Sequence, residues 1–287
     1  MLGRGHAVFS GGLAGAMLLA AGIVFSAAAQ AQTPIMKAQA NPAVRPEMKA
    51  EFCPGFIAGN APRVIPAALA SDQVRITFAG HATFLIESPK LVRIATDYND
   101  YVRPPVLPDI ATMNHAHSTH YTDRPDPGIK HVLRGWRDDG TPAAHDVSYQ
   151  DVRVRSIATN IRDWNGGTRR HGNSIFVFEI GNLCIAHLGH LHHTLTQQQL
   201  DEIGRVDIVM VPVDGSWTMD LDGMADVLQS LKAQLMIPMH YFSMSTLSRF
   251  LDRVRDKYTV ENSETPSIVV SRATMPGAPK FLVLPGR

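Results

Sequence analysis

The chain has 287 residues, 45% of them hydrophobic, and a formal net charge of +1. This even charge balance excludes the strongly basic surface that nucleic-acid-binding proteins use, and it gives no support for a polyacidic partner. The length is sufficient for one sizeable domain with a substantial core.

Residues 1–31 have the features of a secretory signal peptide. Arg4 precedes a small-residue apolar stretch from about Ala7 to Ala29, and Ala29-Gln30-Ala31 offers an A-x-A cleavage site. We therefore predict a periplasmic or secreted protein with no stable membrane span after cleavage. If the stretch is not cleaved, it is long enough to anchor the protein in a membrane.

Residues 32–70 are rich in Ala, Pro and Gln, and we predict a linker and N-terminal extension ahead of a domain over residues 71–287. Cys53 and Cys184 are the two cysteines of the chain. The sequence leaves open whether they pair or are separate, because pairing requires their Cα atoms to be close.

The first half of the domain is predicted to consist mainly of β-strands. Short apolar runs at 74–78, 83–86 and 91–95 are joined by short turns, as in an antiparallel sheet. Further strands are predicted at 110–113 and 147–157, followed by a hairpin over 175–188 with its turn at Gly181-Asn182.

The second half alternates helices and strands. Thr196 can cap a helix that has Gln199 at its third position and ends near Gly204. The other predicted elements are apolar strands at 206–213 and 235–239, helices over 221–231 and 247–258, and two closing strands within 267–284. Together the two halves predict two sheets with helices outside.

Three histidines lie within six residues after the strand at 110–113, namely His115, His117 and His120. Residues two apart on extended backbone point to the same side, so His115 and His117 are expected to face one way. His120 joins them if the chain turns at once. Neutral imidazole suits zinc and other transition metals, so the segment predicts a metal site.

Two later strand ends also carry histidine. His187, His190, His192 and His193 follow the strand that ends near residue 188, and His240 closes the strand at 235–239. Loops at strand ends are where a sheet presents functional groups. Histidines at three separate strand ends therefore favour a shared site.

Taken together, these motifs resemble the metallo-β-lactamase-fold hydrolases, in the branch of the ascorbate-phosphate lactonase type. The resemblance covers about Val74 to Tyr241. It rests on Gly80-His81-Ala82-Thr83, Asp97, the segment from Asn114 to His120, Ala186-His187-Leu188-Gly189-His190, Val211-Pro212-Val213-Asp214-Gly215 and Ile237-Pro238-Met239-His240-Tyr241. It implies an α/β fold, a four-layer αβ/βα sandwich, with a site for one or two metals on the rim between the sheets.

Three departures from the family pattern bear on the number of metals. Thr119 stands at the aspartate position of the first motif, residues 160–163 lack a further histidine, and Gly189-His190 replaces Gly-Asp. Two divalent ions about 3.5–4 Å apart repel by on the order of 20 kcal/mol at an effective dielectric constant of about 20. Neutral imidazoles do not offset this repulsion, so we predict one metal rather than two unless Asp97, Asp163 or Asp214 also becomes a ligand.

The predicted ligands are histidines. His115, His117 and His190 form the favoured trio, and His120 and His240 complete the site or compete for it. Three imidazoles and a water are the ligand set of a catalytic zinc, so zinc is the expected metal, with iron or manganese as alternatives.

The expected reaction is attack by a metal-bound hydroxide on a small-molecule ester, lactone, amide or phosphodiester. In the family the missing aspartate orients the nucleophile, whereas Thr119 can make a hydrogen bond there but carries no charge. Asp214 and Asp163 are the candidate bases, although a turn or capping role is the plainer interpretation of each.

The remaining candidates support the site. Asp97 is expected to fix the tautomer of a histidine, and His187 and His193 to lie behind the ligands. His81 belongs to the site or is a buried hydrogen-bonded histidine, and His192 is expected at the surface.

A basic loop follows residue 165. Its Arg169 and Arg170 could hold an anionic group of the substrate, because guanidinium suits carboxylate and phosphate. A solvated loop is the alternative.

Two other functions remain open. The lost carboxylates favour a degenerate, non-catalytic relative that binds a metal or a small ligand, and a histidine-rich set would also suit an iron redox or sensor protein. The oligomeric state is left open.

Overall fold

The structure is a computed structural model in which residues 68–163 and 165–286 are described. The predicted signal peptide, Cys53 and nearly all of the segment 32–70 lie outside the described residues. Among the residues described, no helix has the length and apolarity needed to cross a bilayer.

The described chain contains strands, three α-helices and short 3-10 turns. The strands are β1 (Gln73–Gly80), β2 (Thr83–Glu87), β3 (Arg93–Ala95), β4 (Ile110–Met113), β5 (His131–Arg134), β6 (Asp146–Tyr149), β7 (Val152–Arg162), β8 (Thr168–Ile180), β9 (Leu183–His187), β10 (Ile208–Pro212), β11 (Leu235–Met239), β12 (Thr259–Asn262), β13 (Ser267–Ser271) and β14 (Lys280–Val283). The helices are α1 (Gln197–Ile203), α2 (Leu221–Leu231) and α3 (Met244–Val254).

The strands form two sheets. The first has six strands in the order β13-β1-β2-β3-β4-β5, and the second has eight in the order β12-β14-β11-β10-β9-β8-β7-β6. The strands β9, β10 and β11 run parallel to one another, so their carboxyl ends share one edge. Both β10 and β11 are buried along their whole length, as their continuous apolar sequences predict.

Hydrophobic periodicity explains how the sheets pack. In β1 alternate residues are buried, and Val74, Ile76 and Phe78 contribute to the core between the sheets. All three α-helices of the described chain pack on the outer face of the second sheet, where Met224 of α2 and Phe250 of α3 are buried. The outer face of the first sheet is covered by loop residues such as Tyr98 and Trp136. The predicted α/β sandwich is confirmed.

Several elements differ from the sequence-based expectation. The strand predicted at 147–157 is the hairpin of β6 and β7, because the chain reverses at Gln150, where φ is +52°. β5 and β12 lack a clear apolar alternation and exist because a neighbouring strand pairs with them. The predicted helix caps are present: Thr196 and Gln199 form a capping box, and α1 ends at Gly204.

Candidate metal centre

Four histidines from three strand ends meet at one point. One ring nitrogen of each lies within 4.8 Å of those of the others in a cluster of His117, His120, His190 and His240. His117 and His120 follow β4 in the first sheet, whereas His190 follows β9 and His240 follows β11 in the second. The cluster therefore lies where strand ends of the two sheets come together.

The loop after β4 brings His117 and His120 to the same side. Asn114 N donates to the His120 carbonyl oxygen across 3.0 Å, and His120 N donates to the His117 carbonyl oxygen across 2.9 Å. These bonds close a 3-10 turn over Ser118–His120, in which His120 is fully buried. The turn is tight enough to place the two imidazole rings 4.9 Å apart.

Asp97 orients His120. The Nδ1 of His120 donates to Oδ2 of Asp97 across 2.6 Å, while Asn114 Nδ2 donates to Oδ1 across 2.9 Å. This leaves the lone pair on Nε2 of His120, which is buried with no hydrogen-bond partner among the described residues. Burial raises the pKa of Asp97 to about 6. Its place beside His120 is the one expected for it from the sequence.

Asp214 orients His240 in the same way. The Nδ1 of His240 donates to Oδ1 of Asp214 across 3.0 Å, and Nε2 of His240 is buried without a partner in the described part of the chain. The Asp214 carboxylate also accepts from Ser216 N and from Thr218 Oγ1. Burial alone would raise the pKa of Asp214, but the hydrogen bonds from His240 and Thr218 hold it well below its ordinary value. Asp214 therefore orients His240, and its carboxylate oxygens are engaged by neighbouring groups, whereas its assignment as a base stays a prediction.

A directed chain of hydrogen bonds fixes the other two histidines. Arg162 N donates to Nδ1 of His192 across 2.7 Å, so a neutral His192 carries its proton on Nε2. That Nε2 lies 2.5 Å from Nδ1 of His190, which must accept. The proton of neutral His190 is then on Nε2, 2.7 Å from Nε2 of His117. His117 accepts there and donates from Nδ1 to Thr119 Oγ1 across 3.1 Å.

This chain gives the four imidazoles unequal roles. His117, His120 and His240 direct an Nε2 lone pair into the cluster, whereas His190 directs an N–H. For His190 to act as a fourth ligand it must lose that proton or the His192 ring must turn over. The geometry thus assigns three ready ligands and one histidine whose tautomer is set by its neighbour.

The donor set fits a transition metal. Burial is the largest cause that lowers the pKa of His117, His120 and His190, and repulsion from neighbouring imidazolium groups adds to it. The rings are therefore neutral at pH 7, as ligation requires. The two buried, unpartnered Nε2 atoms of His120 and His240 are acceptors that an ion between the rings would satisfy.

His115 lies outside the cluster, which corrects its assignment to the ligand trio. Its ring stacks on Tyr121 at 5.5 Å and contacts Trp136 at 4.8 Å. The prediction assumed extended backbone through residue 117, but β4 ends at Met113 and the chain turns. Side chains two apart therefore need not share a side here.

Three other histidines predicted to support the site lie outside the four-histidine cluster, each in a different environment. His81 belongs to the site: its Nε2 is 3.1 Å from Thr119 Oγ1 and its ring is 4.3 Å from that of His240. His187 is fully buried and donates from Nε2 to the Ala82 carbonyl oxygen. His193 lies in a separate recess with Thr159 and Gln199.

A cavity of about 330 Å³ opens on the cluster. It is lined by Ala116, His117, Ile161, Arg162, Asp163, Arg169, His190, His192, Ser216 and Trp217. The Arg162 guanidinium donates to the carbonyl oxygens of residues 216 and 218, so it holds that loop. Asp163 caps a turn by accepting from the backbone N–H of Asn165 and Gly167, as its plainer interpretation predicted. Arg169 lines the cavity, whereas Arg170 does not.

Comparison with known proteins identifies the family. A model of the β-lactamase superfamily domain matches residues 75–240, more than half of the chain. The chain belongs to the β-lactamase superfamily. Its predicted family and fold are thereby confirmed.

Relatives of the chain are named as metal-dependent hydrolases. A UPF0173 metal-dependent hydrolase of Thermoplasma acidophilum is 28% identical over 191 residues, which are 59% of this chain and 84% of the relative. One of Methanosarcina mazei is 24% identical over 221 residues, 69% of this chain and 96% of the relative. A crystal structure from Thermotoga maritima shows a candidate zinc-dependent hydrolase of the metallo-β-lactamase superfamily. That protein is 28% identical in sequence, and its structure matches with a TM-score of 0.54. The match covers 75% of this chain and all of the Thermotoga chain. The predicted reaction class agrees with these names, while the zinc and the lactonase-type branch stay predictions.

His192 is the site residue that sequence reasoning missed. The sequence placed it at the surface, yet its ring lines the cavity and fixes His190. The available signal was its position two residues after His190. The spacing alone does not reveal the role of His192, because that role depends on the backbone N–H of Arg162. Arg162 lies thirty residues earlier in the chain and donates to Nδ1 of His192.

Proposed function

We propose that the chain is a mononuclear metal-dependent hydrolase, with zinc as its metal and a small ester, lactone, amide or phosphodiester with an anionic group as its substrate. The observation that carries the proposal is the convergence of four imidazoles whose Nδ1 atoms are all held by neighbours. The names of the superfamily relatives support the reaction class.

His117, His120 and His240 would hold the metal, with His190 as a fourth ligand after it loses its Nε2 proton. A zinc ion bound there supplies Lewis-acid chemistry, which acidifies a water and polarises the oxygen of the scissile carbonyl or phosphoryl group. Among the described residues the cluster consists of imidazoles with no carboxylate ligand, which supports one ion rather than two.

Residues of the cavity would do the remaining work. Arg169 lines the wall and has no ion-pair partner among the described residues, so its guanidinium can bind the anionic group. His192 and His190 share a proton between Nε2 and Nδ1 in the same wall, within reach of a group bound in the cavity. Thr119 accepts from His117 and so holds that ring in position.

We further propose that the protein is exported, as a periplasmic or secreted enzyme with its catalytic domain over residues 71–287. The apolar stretch before Ala29-Gln30-Ala31 supports this. Mass spectrometry of the protein from the periplasmic fraction should show a chain that begins near residue 32, and an intact N-terminus in a membrane fraction would indicate the anchored alternative.

Metal analysis and hydrolysis assays test the catalytic proposal. Protein purified without a histidine tag should contain about one equivalent of zinc per chain. It should hydrolyse 4-nitrophenyl acetate, dihydrocoumarin or bis(4-nitrophenyl) phosphate, and a chelator should abolish that hydrolysis. His240→Ala should lose metal and activity together, whereas His193→Ala, a histidine outside the cluster, should keep both.

The anionic substrate has its own test. Arg169→Ala should raise KM for an anionic ester and leave kcat/KM for 4-nitrophenyl acetate nearly unchanged. Zinc without any hydrolysis would support the non-catalytic relative instead, and redox-active iron would support the redox or sensor protein. Two equivalents of metal would contradict the mononuclear site.

A further inference from the structure

A second opening lies beside the histidine cluster and shares no lining residue with the arginine-lined cavity. It is a groove of about 510 Å³ between the end of β1, the start of α3 and the residues after β14. Its lining consists mainly of apolar groups and is formed by Phe78, Gly80, His81, Tyr241, Phe242, Ser243, Met244, Asn262, Ser263, Val283, Leu284, Pro285 and Gly286. We name these residues the apolar groove.

Two large hydrophobic side chains of the apolar groove are exposed to solvent. Phe242 is 60% exposed and Met244 is 63% exposed. The lining also includes two buried or partly buried aromatic residues, Phe78 and Tyr241, whose rings lie 6.4 Å apart. None of the described residues that line the groove has a charged side chain, whereas Arg162 and Arg169 line the other cavity.

The apolar groove is continuous with the metal centre. His81 lines the groove, yet its ring lies 4.3 Å from that of His240 and its Nε2 contacts Thr119. Phe242 also lines the groove, and its ring packs edge-on against His240 at 5.4 Å. His117 and His190 line the arginine-lined cavity. A charged recess and an apolar one therefore both border the cluster.

We infer that the apolar groove binds the aliphatic chain of the substrate, so that the scissile group lies at the histidine cluster and the anionic group lies beside Arg169. The inference rests on the proposed function and names its substrate class: an amphipathic ester or amide of a medium-length aliphatic acid. This occupant is favoured because one recess is apolar and the other holds arginines. Both recesses border the cluster, so a single molecule with an aliphatic and an anionic end fits them together. The alternative occupants are the chain's own N-terminal residues and a second copy of the chain.

A chain-length series tests the inference. The zinc-loaded protein is assayed with 4-nitrophenyl esters from acetate to decanoate, each below its micelle concentration. Because burial of a methylene contributes about 0.8 kcal/mol, kcat/KM should rise roughly fourfold per added methylene until the groove is filled. A flat or falling series with a measurable rate for acetate would overturn the inference and leave the hydrolase proposal intact.

Variants at Met244 locate the chain. Met244→Ser should lower kcat/KM for the octanoate ester about tenfold and leave kcat/KM for the acetate ester unchanged. Met244→Leu should keep kcat/KM for the octanoate ester close to that of the natural chain. Leu107→Ser is the matched control, because Leu107 is 47% exposed and lies outside the apolar groove. An equal loss in Met244→Ser and Leu107→Ser, or no loss in either, would contradict the assignment of the groove.

A binding measurement keeps the inference testable when no ester is cleaved. The fluorescence of 11-(dansylamino)undecanoic acid should rise on binding to the metal-free chain, and Met244→Ser should weaken this binding about tenfold while Leu107→Ser leaves it unchanged. Binding without hydrolysis would support the groove and count against the proposed function. Absence of binding, as expected when an N-terminal segment or a second copy covers the groove, would overturn the inference.

Discussion

Nε2 of His192 lies 2.5 Å from Nδ1 of His190 and donates to it. The direction of this hydrogen bond is set by Arg162, whose backbone N–H donates to Nδ1 of His192. The pair leaves a proton on Nε2 of His190, inside a cluster where the other three rings present lone pairs. His192, which lies outside the four-histidine cluster, thus decides the protonation of His190 within it.

The first prediction concerns protons released on metal binding. If His190 ligates, zinc binding should release one proton more in the natural chain than in His192→Ala, where Nδ1 of His190 is free to carry the proton. Calorimetry in buffers of different ionisation enthalpy measures this number. Equal release by both proteins would show that His190 loses no proton, either because the His192 ring turns over or because His190 does not bind the metal.

The second prediction separates ligands from neighbours. His120→Ala should lower zinc affinity by more than about 100-fold, because it removes a lone pair that faces the cluster. His115→Ala should change the affinity by less than about threefold, because His115 packs on Tyr121 and Trp136. Competition with a chromogenic chelator gives both values. A large loss in His115→Ala would restore it to the ligand set.

The third prediction concerns the carboxylate that holds His120. Asp97→Asn keeps the shape of the side chain but removes the charge that fixes the Nδ1 proton of His120. Zinc affinity should fall by about 10- to 100-fold. Asp139→Asn is the control, since Asp139 pairs with Arg137 in an exposed ion pair. An unchanged affinity in Asp97→Asn would mean that burial alone orients the ring.

The fourth prediction concerns Gly189, where φ is +59°. A Cβ there would lie 2.4 Å from Asn114 Nδ2 and 2.5 Å from Asn173 Oδ1, the side chains that support Asp97 and the backbone of His190. Gly189→Ala should therefore lower the free energy of unfolding by about 3 kcal/mol and weaken zinc binding.

Gly204 provides the control for that substitution. Its φ is +71°, but a Cβ there would meet nothing within 4 Å. Gly204→Ala should cost about 1–3 kcal/mol, because φ of +71° with ψ of −145° is a backbone region that side-chain-bearing residues rarely adopt, and it should leave zinc binding unchanged. The zinc affinities of the two variants make the comparison, and an equal effect on zinc affinity would argue against a steric role for Gly189.

The fifth prediction is the pH dependence of the metal-free protein. Burial is the main cause that lowers the pKa of several histidines in the folded state below the ordinary 6.5, to about 3 for His81 and about 4 for His192. Other histidines with a lowered pKa are His117, His120, His187 and His190. Below pH 6.5 the unfolded chain therefore binds more protons than the folded chain, and stability falls as the pH falls.

Each such histidine contributes up to about 1.4 kcal/mol per pH unit below 6.5. Asp97 acts in the opposite direction between pH 6 and 3.8, because its pKa is raised in the folded state, but it is one group against several. Urea denaturation of the chelator-treated protein at pH 7.5, 6.5 and 5.5 should show a steep loss over the last step. A constant free energy of unfolding across that range would show that protonation of these rings does not destabilise the folded state.

Local sequence signals identified most of the strands and helices because those signals are carried by neighbouring residues. Alternation in β1, continuous apolar runs in β10 and β11, and the capping box at Thr196 all act within one element. β5 and β12 escaped prediction because their stability comes from a pairing partner distant in sequence.

By itself, the sequence determined that histidines follow three strand ends and that the family's carboxylates are missing, since both are facts of residue type and spacing. Only the tertiary structure decided which histidines meet. It excluded His115 because β4 ends two residues before it, and it included His192 because Arg162 N–H approaches it from another strand. Ligand direction depends on hydrogen bonds between residues far apart in the chain, and no local pattern encodes those.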